Sequence, residues 1–299
     1  MTTRPSEERA WPQGCSARTA QAGGRRQLES AGIGEAPMEA GLLLGHVLRL
    51  DRIGLLMRGS SALSALEAAE FRALVARRSR REPLAYLVGF RNWLDFNINV
   101  DRNVLIPRPE TEILAGLAIE ATRQAGSARA RTPRVVDVGT GSGALAIAVA
   151  RACPEANLLA IETGAGAIRT ARENCRRLAP DRVILREGDL LPADLTVDIL
   201  VANLPYIPTA ELRGLEPDLA YEPRLALDGG PDGLRLIEAL LDQAGGSLAS
   251  GGVVLLECHY DQGTRVVEMA KARFPGSVMS LHGDLAGTMR FVRVEAPLY

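Results

Sequence analysis

Hydrophobic and polar positions follow two different patterns along the chain. Over residues 28–89 the apolar positions recur every three to four residues, which is the spacing of amphipathic helices. Pro37 suits the first turn of one of these helices, and another helix is predicted over residues 62–79. Over residues 96–100 apolar and polar residues alternate instead, which predicts a strand in a β-hairpin.

From residue 135 onward, short apolar runs alternate with helical patterns. Strands are predicted at residues 135–138, 158–161, 183–185, 199–202 and 253–256, with two more near the end of the sequence. Helices are predicted at residues 144–152, 165–178, 234–249 and 264–272. This alternation predicts an α/β fold with a doubly wound, mainly parallel seven-stranded sheet, preceded by a small helical domain and a hairpin. Ligands of such sheets bind at the carboxyl ends of the strands, where the strand order reverses.

A stiff connector separates the two patterns. Prolines flank Arg108 on both sides, and Thr111 is predicted to cap the helix that follows. We therefore predict a helical domain with the hairpin over residues 25–105 and a sheet domain over residues 106–299. Residues 1–24 are rich in Arg, Ser, Gly, Gln and Thr and have no apolar core segment, which predicts a disordered tail or an overlong start and not a secretory signal.

Composition narrows the function classes. The net charge of the 299 residues is −1 and the pI is about 6.4, so no general attraction to nucleic acid is expected. The chain has no uninterrupted apolar run of about 18 residues, and no membrane span is expected. The cysteines are scattered without a CxxC pair, which predicts free thiols in a reducing, cytoplasmic compartment and no metal site. They are Cys15, Cys153, Cys175 and Cys258.

The most informative tetrapeptide ends the apolar run at residues 197–202. It reads Asn203-Leu204-Pro205-Tyr206, and we call it the clamp. The side-chain oxygen of Asn203 and the carbonyl of Leu204 can each accept one N–H of a planar NH2 group, while the ring of Tyr206 packs on its flat face. Pro205 restricts Leu204 to extended conformations and so fixes that carbonyl. Orienting a weakly nucleophilic nitrogen favours N-methylation, provided that a methyl donor binds nearby.

A glycine-rich turn after the first strand of the predicted sheet supplies a donor site. We call Gly139-Thr140-Gly141-Ser142-Gly143 the glycine loop. Ala144 stands where a dinucleotide-binding turn has its third glycine, and the GxGxG spacing instead suits a compact zwitterion such as the methionyl part of S-adenosylmethionine.

Two further positions extend this predicted donor site. Glu162 closes the next strand, where its carboxylate can accept both ribose hydroxyls. Asp189 and Leu190 follow the third strand, where they are predicted to contact the amino group and the face of adenine. Together these positions predict that S-adenosyl-L-methionine is the cofactor.

With these motifs the chain resembles the peptide chain release factor N5-glutamine methyltransferases, which are class I S-adenosylmethionine-dependent methyltransferases. The resemblance runs from about residue 28 to the end of the chain. It rests on the segments at residues 82–89, 106–112, 139–143, 221–234 and 284–287, in that order. Within them stand Glu82-Pro83-Leu84-Ala85-Tyr86, Ile106-Pro107-Arg108-Pro109-Glu110-Thr111-Glu112 and Leu227-Asp228-Gly229-Gly230.

The resemblance implies transfer of a methyl group to the side-chain amide nitrogen of the glutamine in the Gly-Gly-Gln loop of release factors. It implies that the helical domain docks the release factor and that the glycine loop, Glu162 and Asn203 contact the donor. The clamp then holds the glutamine amide, and Arg108 is expected to bind substrate as well. We expect catalysis by positioning, without a side-chain general base, in a protein that is a monomer and does not bind nucleic acid directly.

The sequence departs from the family pattern at three places. Leu204 stands where the family usually has a proline, Glu162 replaces the commoner aspartate, and Cys258-His259 replaces a glycine-containing turn. The acceptor at residue 204 is a main-chain carbonyl, so the replacement of the proline preserves it.

Three other functions remain open at this stage. Asn-Leu-Pro-Tyr is also the form found in adenine N6-methyltransferases that act on RNA or DNA, because adenine presents a similar planar NH2. The net charge and the connector at residues 106–112 weigh against that reading. A glutamine methyltransferase acting on a ribosomal protein and a binding protein without turnover are the other two.

Overall fold

The computed structural model describes residues 11, 12, 14–128 and 131–298. The chain divides into two compact units. The first consists of Met1–Gly89 with Pro217–Tyr221, and the second of Phe90–Glu216 with Glu222–Tyr299.

The first unit is helical, as its hydrophobic spacing predicts. Its helices are α1 (Ala17–Ser30), α2 (Ala36–Leu48), α3 (Arg52–Met57), α4 (Ala65–Ser79) and α5 (Leu84–Val88). Ser64 and Glu67 form a capping box at the start of α4, and each satisfies a backbone N–H of the other. Phe71 and Leu43 are fully buried in the shared core.

The prediction of a disordered tail over residues 1–24 is wrong from Ala17 onward. Those residues form the first half of α1, where Ala20 is fully buried. A Cβ at Gly24 would lie 2.7 Å from the ring of Phe71, so the helix packs closely through small residues. Small residues give a weak hydrophobic signal, which explains the error. Residues 1–10 lie outside the described part of the chain.

A buried arginine ties Pro217–Tyr221 into the first unit. The guanidinium of Arg78 donates to Glu39 Oε2 at 2.6 Å and to Asp218 Oδ2 at 2.7 Å. The hydroxyl of Tyr221 donates to the carbonyl of Arg80 at 2.8 Å. This short segment, distant in sequence, is therefore held by charge-assisted hydrogen bonds within the helical unit.

The predicted hairpin is present but belongs to the second unit. Its strands are β1 (Phe90–Trp93) and β2 (Phe96–Asn99), paired antiparallel. Asn174 holds this hairpin, because it donates to the Asn99 carbonyl and accepts from the Asn99 N–H, both at 2.9 Å. The boundary between the units thus falls at Gly89, earlier than the predicted residue 105.

The second unit contains the predicted doubly wound sheet of seven strands, in the order β5-β4-β3-β6-β7-β9-β8. The strands are β3 (Arg134–Val138), β4 (Asn157–Glu162), β5 (Val183–Glu187), β6 (Val197–Ala202), β7 (Leu248–Glu257), β8 (Val278–Gly283) and β9 (Met289–Glu295). The helices are α6 (Thr111–Ala128), α7 (Ala144–Ala152), α8 (Ala165–Leu178), α9 (Arg235–Ala244) and α10 (Gly263–Arg273). Strands β3 to β7 run parallel, and β9 pairs antiparallel with β7 and β8.

The strand order reverses at β3, which pairs with β4 on one side and β6 on the other. In the register of β3 and β6, Val138 lies opposite Ala202. The next residues, Gly139 and Asn203, therefore leave the sheet side by side at its carboxyl edge. This is where doubly wound sheets bind ligands.

Candidate functional site

A cavity of about 420 Å³ lies at this carboxyl edge. Its volume falls within the range of small-molecule and cofactor sites, roughly 300–1,000 Å³. The walls come from the turns after β3, β4, β5 and β6 and from residues within 103–111 and 223–236. They include the predicted site residues Gly139, Thr140, Gly141, Ser142, Glu162, Asp189, Leu190, Asn203, Leu204, Pro205 and Arg108. The fold thus brings Gly139–Ser142 and the first three residues of the clamp to one pocket, whereas Gly143 and Tyr206 are not among its lining residues.

The glycine loop is a tight turn with three left-handed glycines. The φ angles of Gly139, Gly141 and Gly143 are +72°, +57° and +88°, which residues with a Cβ rarely adopt. Asp137 in β3 holds the loop, because its Oδ2 accepts a hydrogen bond from the hydroxyl of Thr140 at 2.6 Å. Burial raises the pKa of Asp137 to about 6.

Glu162 links the glycine loop to the turn after β4. Its Oε2 accepts the N–H of Gly141 at 2.9 Å and its Oε1 accepts the N–H of Gly164 at 2.8 Å. A carboxylate oxygen has two lone pairs, so each oxygen retains one with which to accept a hydroxyl. The carboxylate of Glu162 thus bridges the two turns and is part of the cavity wall.

The turn after β5 completes this side of the cavity. The N–H of Gly188 donates to the carbonyl of Glu162 at 3.0 Å, which joins the two turns. Leu190 has a φ of +54° and is buried, and Asp189 lies beside it in the cavity wall.

These residues fit S-adenosylmethionine. A Cβ at Gly141 would meet only the carbonyl of Gly139, at 4.0 Å, so the space beside this loop is open. A carboxylate with lone pairs available lies next to that space, in the position predicted to receive two ribose hydroxyls. The described residues therefore offer both a cradle for the methionyl part and an acceptor for the ribose.

The clamp follows β6 and lies beside the glycine loop at the same edge of the sheet. Leu204 is buried with its side chain against the glycine loop, since a Cβ at Gly139 would lie 2.8 Å from Leu204 Cδ2. Among the residues that the structure describes, none donates a hydrogen bond to Asn203 Oδ1 or to the carbonyl of Leu204. Both oxygens that the clamp motif needs as acceptors are therefore available to a ligand.

Three residues to which the sequence alone assigned no role in the site pack against the backbone of the clamp. Gln262 Nε2 donates to the carbonyl of Tyr206 at 2.9 Å. A Cβ at Gly233 would lie 2.1 Å from that same carbonyl, and one at Gly229 would lie 2.7 Å from the carbonyl of Pro205. The glycines of the segment at residues 227–234, which in sequence indicate only turns, thus let one backbone pass directly behind another.

A hydrogen-bond chain holds the side chain of Asn203. Its Nδ2 donates to Thr111 Oγ1 at 3.0 Å, and the hydroxyl of Thr111 donates to Glu257 Oε2 at 2.8 Å. The predicted cap role of Thr111 is therefore wrong, because α6 begins at Thr111 and its hydroxyl bonds to the end of β7. Burial raises the pKa of Glu257 to about 7. The distance between the hydroxyl of Tyr206 and Glu257 Oε1 is 3.4 Å, long for an O–H···O bond.

Arg108 lines the cavity, but an acidic residue engages its guanidinium. Its Nη2 donates to Glu222 Oε1 at 2.5 Å, while Glu222 Oε2 accepts the N–H of Ile106 at 3.0 Å. Glu222 is buried and fixes the connector on both sides of Pro107. A role of Arg108 in substrate binding stays a prediction.

The turn after β7 carries the sequence departure at Cys258-His259. Burial raises the pKa of the Cys258 thiol to about 12, so this cysteine is not a nucleophile at neutral pH. His259 Nδ1 pairs with Asp261 at 2.7 Å, and its ring centroid lies 6.3 Å from that of Tyr206. Among the described residues, no group of three or more His, Cys, Asp or Glu side chains is arranged to hold a metal. No described helix has the length and apolar character to cross a bilayer.

Comparison with known proteins agrees with this architecture. Residues 19–89 match the PrmC N-terminal domain family, and residues 123–213 match the methyltransferase small domain family. The catalytic domain of hMettl16, solved in complex with a MAT2A 3'UTR hairpin, is 14% identical with a TM-score of 0.53, covering 78% of this chain and 82% of that one. At this identity the likeness shows the class I methyltransferase fold alone.

Curated relatives are more similar. The release factor glutamine methyltransferase of Moorella thermoacetica is 40% identical over 250 residues, which are 83% of this chain and 87% of the relative. The enzyme of the same name from Deinococcus radiodurans is 38% identical over 271 residues, covering 90% of this chain and 94% of the relative. Both matches cover most of this chain and most of each relative. The chain belongs to the release factor glutamine methyltransferase family.

Proposed function

We propose that this protein transfers a methyl group from S-adenosylmethionine to the side-chain amide nitrogen, N5, of a glutamine in a peptide chain release factor. One observation carries the proposal. A single cavity joins a glycine loop that fits the donor to a clamp that presents two available acceptor oxygens, Asn203 Oδ1 and the carbonyl of Leu204.

The clamp supplies orientation. A primary amide has two N–H donors in one plane, and the two oxygens accept one each, which sets the direction of the nitrogen lone pair. The ring of Tyr206 packs on the amide plane. Pro205 restricts the backbone of Leu204, so the carbonyl is fixed although the leucine side chain replaces a second proline. Positioning of this kind contributes roughly 7–11 kcal/mol in well-oriented reactions.

The residues beside the clamp in the same cavity hold the donor. The glycine loop cradles its methionyl part, Glu162 accepts the ribose hydroxyls, and Asp189 and Leu190 contact the adenine. When bound, S-adenosylmethionine supplies a methyl group on a sulfonium, whose leaving group is a neutral thioether. The amide nitrogen bonds to the methyl carbon as the S–CH3 bond breaks, and the nitrogen loses one proton to solvent. No metal is assigned to this chemistry, and we nominate no side-chain general base.

The partner is a release factor with its glutamine in a Gly-Gly-Gln loop. We assign docking of that protein to the helical unit, whose helix α3 exposes Ile53, Leu56 and Met57. The proposed setting is the cytoplasm and the proposed state is a monomer. With a net charge of −1, the chain is not expected to bind nucleic acid directly.

Methyl transfer from labelled donor to purified release factor tests the proposal. We expect label in the wild-type release factor and none in a release factor whose loop glutamine is replaced. Ribosomal RNA and ribosomal proteins are offered in parallel reactions. Label in either of these with an unlabelled release factor would overturn the proposal.

A further inference from the structure

A buried carboxylate lies two hydrogen bonds away from the oxygen that is proposed to accept the substrate amide. Glu257 is the last residue of β7, next to β6 in the sheet, and it is almost fully buried. Thr111, the first residue of α6, connects it to Asn203. These three residues come from three separate elements and meet only in the folded protein.

The direction of each hydrogen bond between Asn203, Thr111 and Glu257 follows from the number of donors and acceptors that each side chain has. When Glu257 is ionised, its carboxylate oxygen accepts and cannot donate, so in that form the single hydroxyl proton of Thr111 points to Glu257. The oxygen of Thr111 then acts as an acceptor toward Asn203. Only the amide NH2 of Asn203 can satisfy it, because Oδ1 in that place would set two oxygens against each other without a proton between them.

The orientation of the Asn203 amide therefore depends on Glu257. With Nδ2 held by Thr111, Oδ1 is the atom left for the acceptor amide. If the carboxylate were absent, the hydroxyl of Thr111 would be free to donate to Oδ1. The Asn203 amide would then turn over and present its NH2, a donor, to the NH2 of the substrate.

We infer that Glu257 is a positioning residue for methyl transfer, which acts through Thr111 to fix the side-chain oxygen of Asn203 toward the acceptor nitrogen. The inference rests on the proposed function, because it assigns the acceptor role of Asn203 Oδ1. It makes Thr111 and Glu257, which lie outside the clamp, necessary for full turnover.

Conservative substitutions separate positioning from packing. The variant Glu257→Gln keeps a carbonyl that accepts the Thr111 hydroxyl, whereas Glu257→Met keeps the length of the side chain and removes the acceptor. On Thr111, the variant Thr111→Ser keeps the hydroxyl and Thr111→Val removes it. Thr122→Val is the matched control, because Thr122 is also buried on α6 and its hydroxyl donates only to the carbonyl of Ala118.

The experiment measures kcat and KM with release factor, the Kd of S-adenosylmethionine and the urea midpoint for each variant. We expect Glu257→Met and Thr111→Val to lower kcat about 100-fold with the donor Kd unchanged. For Glu257→Gln and Thr111→Ser, kcat should stay within about fivefold of wild type. A change of about fivefold corresponds to the net contribution of one ordinary hydrogen bond. Thr122→Val should turn over at the wild-type rate.

Three results would overturn the inference. The first is equal kcat for Glu257→Met and Glu257→Gln, which indicates packing alone. The second is a loss in Thr111→Val that Thr111→Ser shares. The third is a rise in the donor Kd that accounts for the whole loss. Failure of the proposed function is distinguishable, because the wild-type protein would then leave the release factor unmethylated.

Discussion

The close approach of Gly233 to the clamp gives a prediction with a magnitude. A Cβ at residue 233 would lie 2.1 Å from the carbonyl oxygen of Tyr206 and 2.4 Å from Gln262 Nε2. The φ of Gly233 is +77°, so Gly233→Ala also places alanine in the left-handed region. The backbone strain costs about 1–2 kcal/mol, and overpacking adds about 1–3 kcal/mol. We expect a loss of about 2–5 kcal/mol in the free energy of unfolding.

Gly287 provides a matched control for this substitution. Its φ is +81°, and a Cβ there would meet nothing within 4 Å. Gly287→Ala therefore has the same backbone strain without the clash. The difference between the two variants in urea unfolding isolates the contact with the clamp.

The same clash affects catalysis. The Cβ–oxygen distance of 2.1 Å must lengthen by about 1 Å to reach a tolerable contact, and a misplacement of that size costs about 100-fold in turnover. The assay is kcat with release factor, with the Kd of S-adenosylmethionine as the second readout. We expect Gly233→Ala to lose turnover while donor binding remains, and Gly287→Ala to keep both. Equal stability and equal turnover in the two variants would refute the reasoning.

Four further predictions follow from the site. Asn203→Ala should abolish transfer while donor binding persists at least in part, and near-wild-type turnover in this variant would contradict the assigned role. Glu162→Gln should raise the Kd of S-adenosylmethionine about tenfold or more, because it removes charge-assisted hydrogen bonds. Calorimetric titration measures this Kd, and an unchanged value would show that the carboxylate does not contact the donor. Tyr206→Phe should keep most of kcat, because the hydroxyl makes only a 3.4 Å contact, whereas Tyr206→Ala should lose it; equal kcat in both would exclude a role for the ring. The pKa of Glu257 rises from 4.5 to about 7 on burial, so the folded protein binds more protons than the unfolded chain between these values. The free energy of unfolding should therefore fall as pH rises through that window, and Glu257→Gln should lack this part of the fall; parallel curves for the two proteins would disprove the assignment.

Local patterns predict the sheet and the position of the glycine loop in it well. Helices α7 and α8 begin and end at the predicted residues, since a glycine precedes each helix and a proline follows each one by two residues. Register then places Gly139 beside Asn203, as the parallel alternation implies. These features depend on neighbours in sequence and on one general rule of α/β sheets.

The support of the clamp is not local and could not be predicted in the same way. Thr111 contacts Glu257 and Asn203 only because α6 and β7 pack near β6, and in sequence Thr111 indicated a helix cap. Gly233 and Gln262 likewise meet Tyr206 through tertiary packing. A glycine that marks a turn and a glycine that lets one backbone segment pass close behind another look the same in sequence.

The errors have similar physical causes. Helix α1 begins at Ala17 although its first half lacks large apolar residues, because alanine and glycine bury well against Phe71. The hairpin joins the second unit through Asn174, a polar contact that hydrophobic spacing does not reveal.

Mass spectrometry of the release factor loop tests the central claim most directly. The loop peptide is compared after incubation with S-adenosylmethionine and either the wild-type protein or the Asn203→Ala variant. The account predicts one added methyl group on the side-chain amide of the loop glutamine with wild type and none with the variant. A loop glutamine that stays unmethylated, while the protein binds S-adenosylmethionine and the release factor is folded, would contradict it.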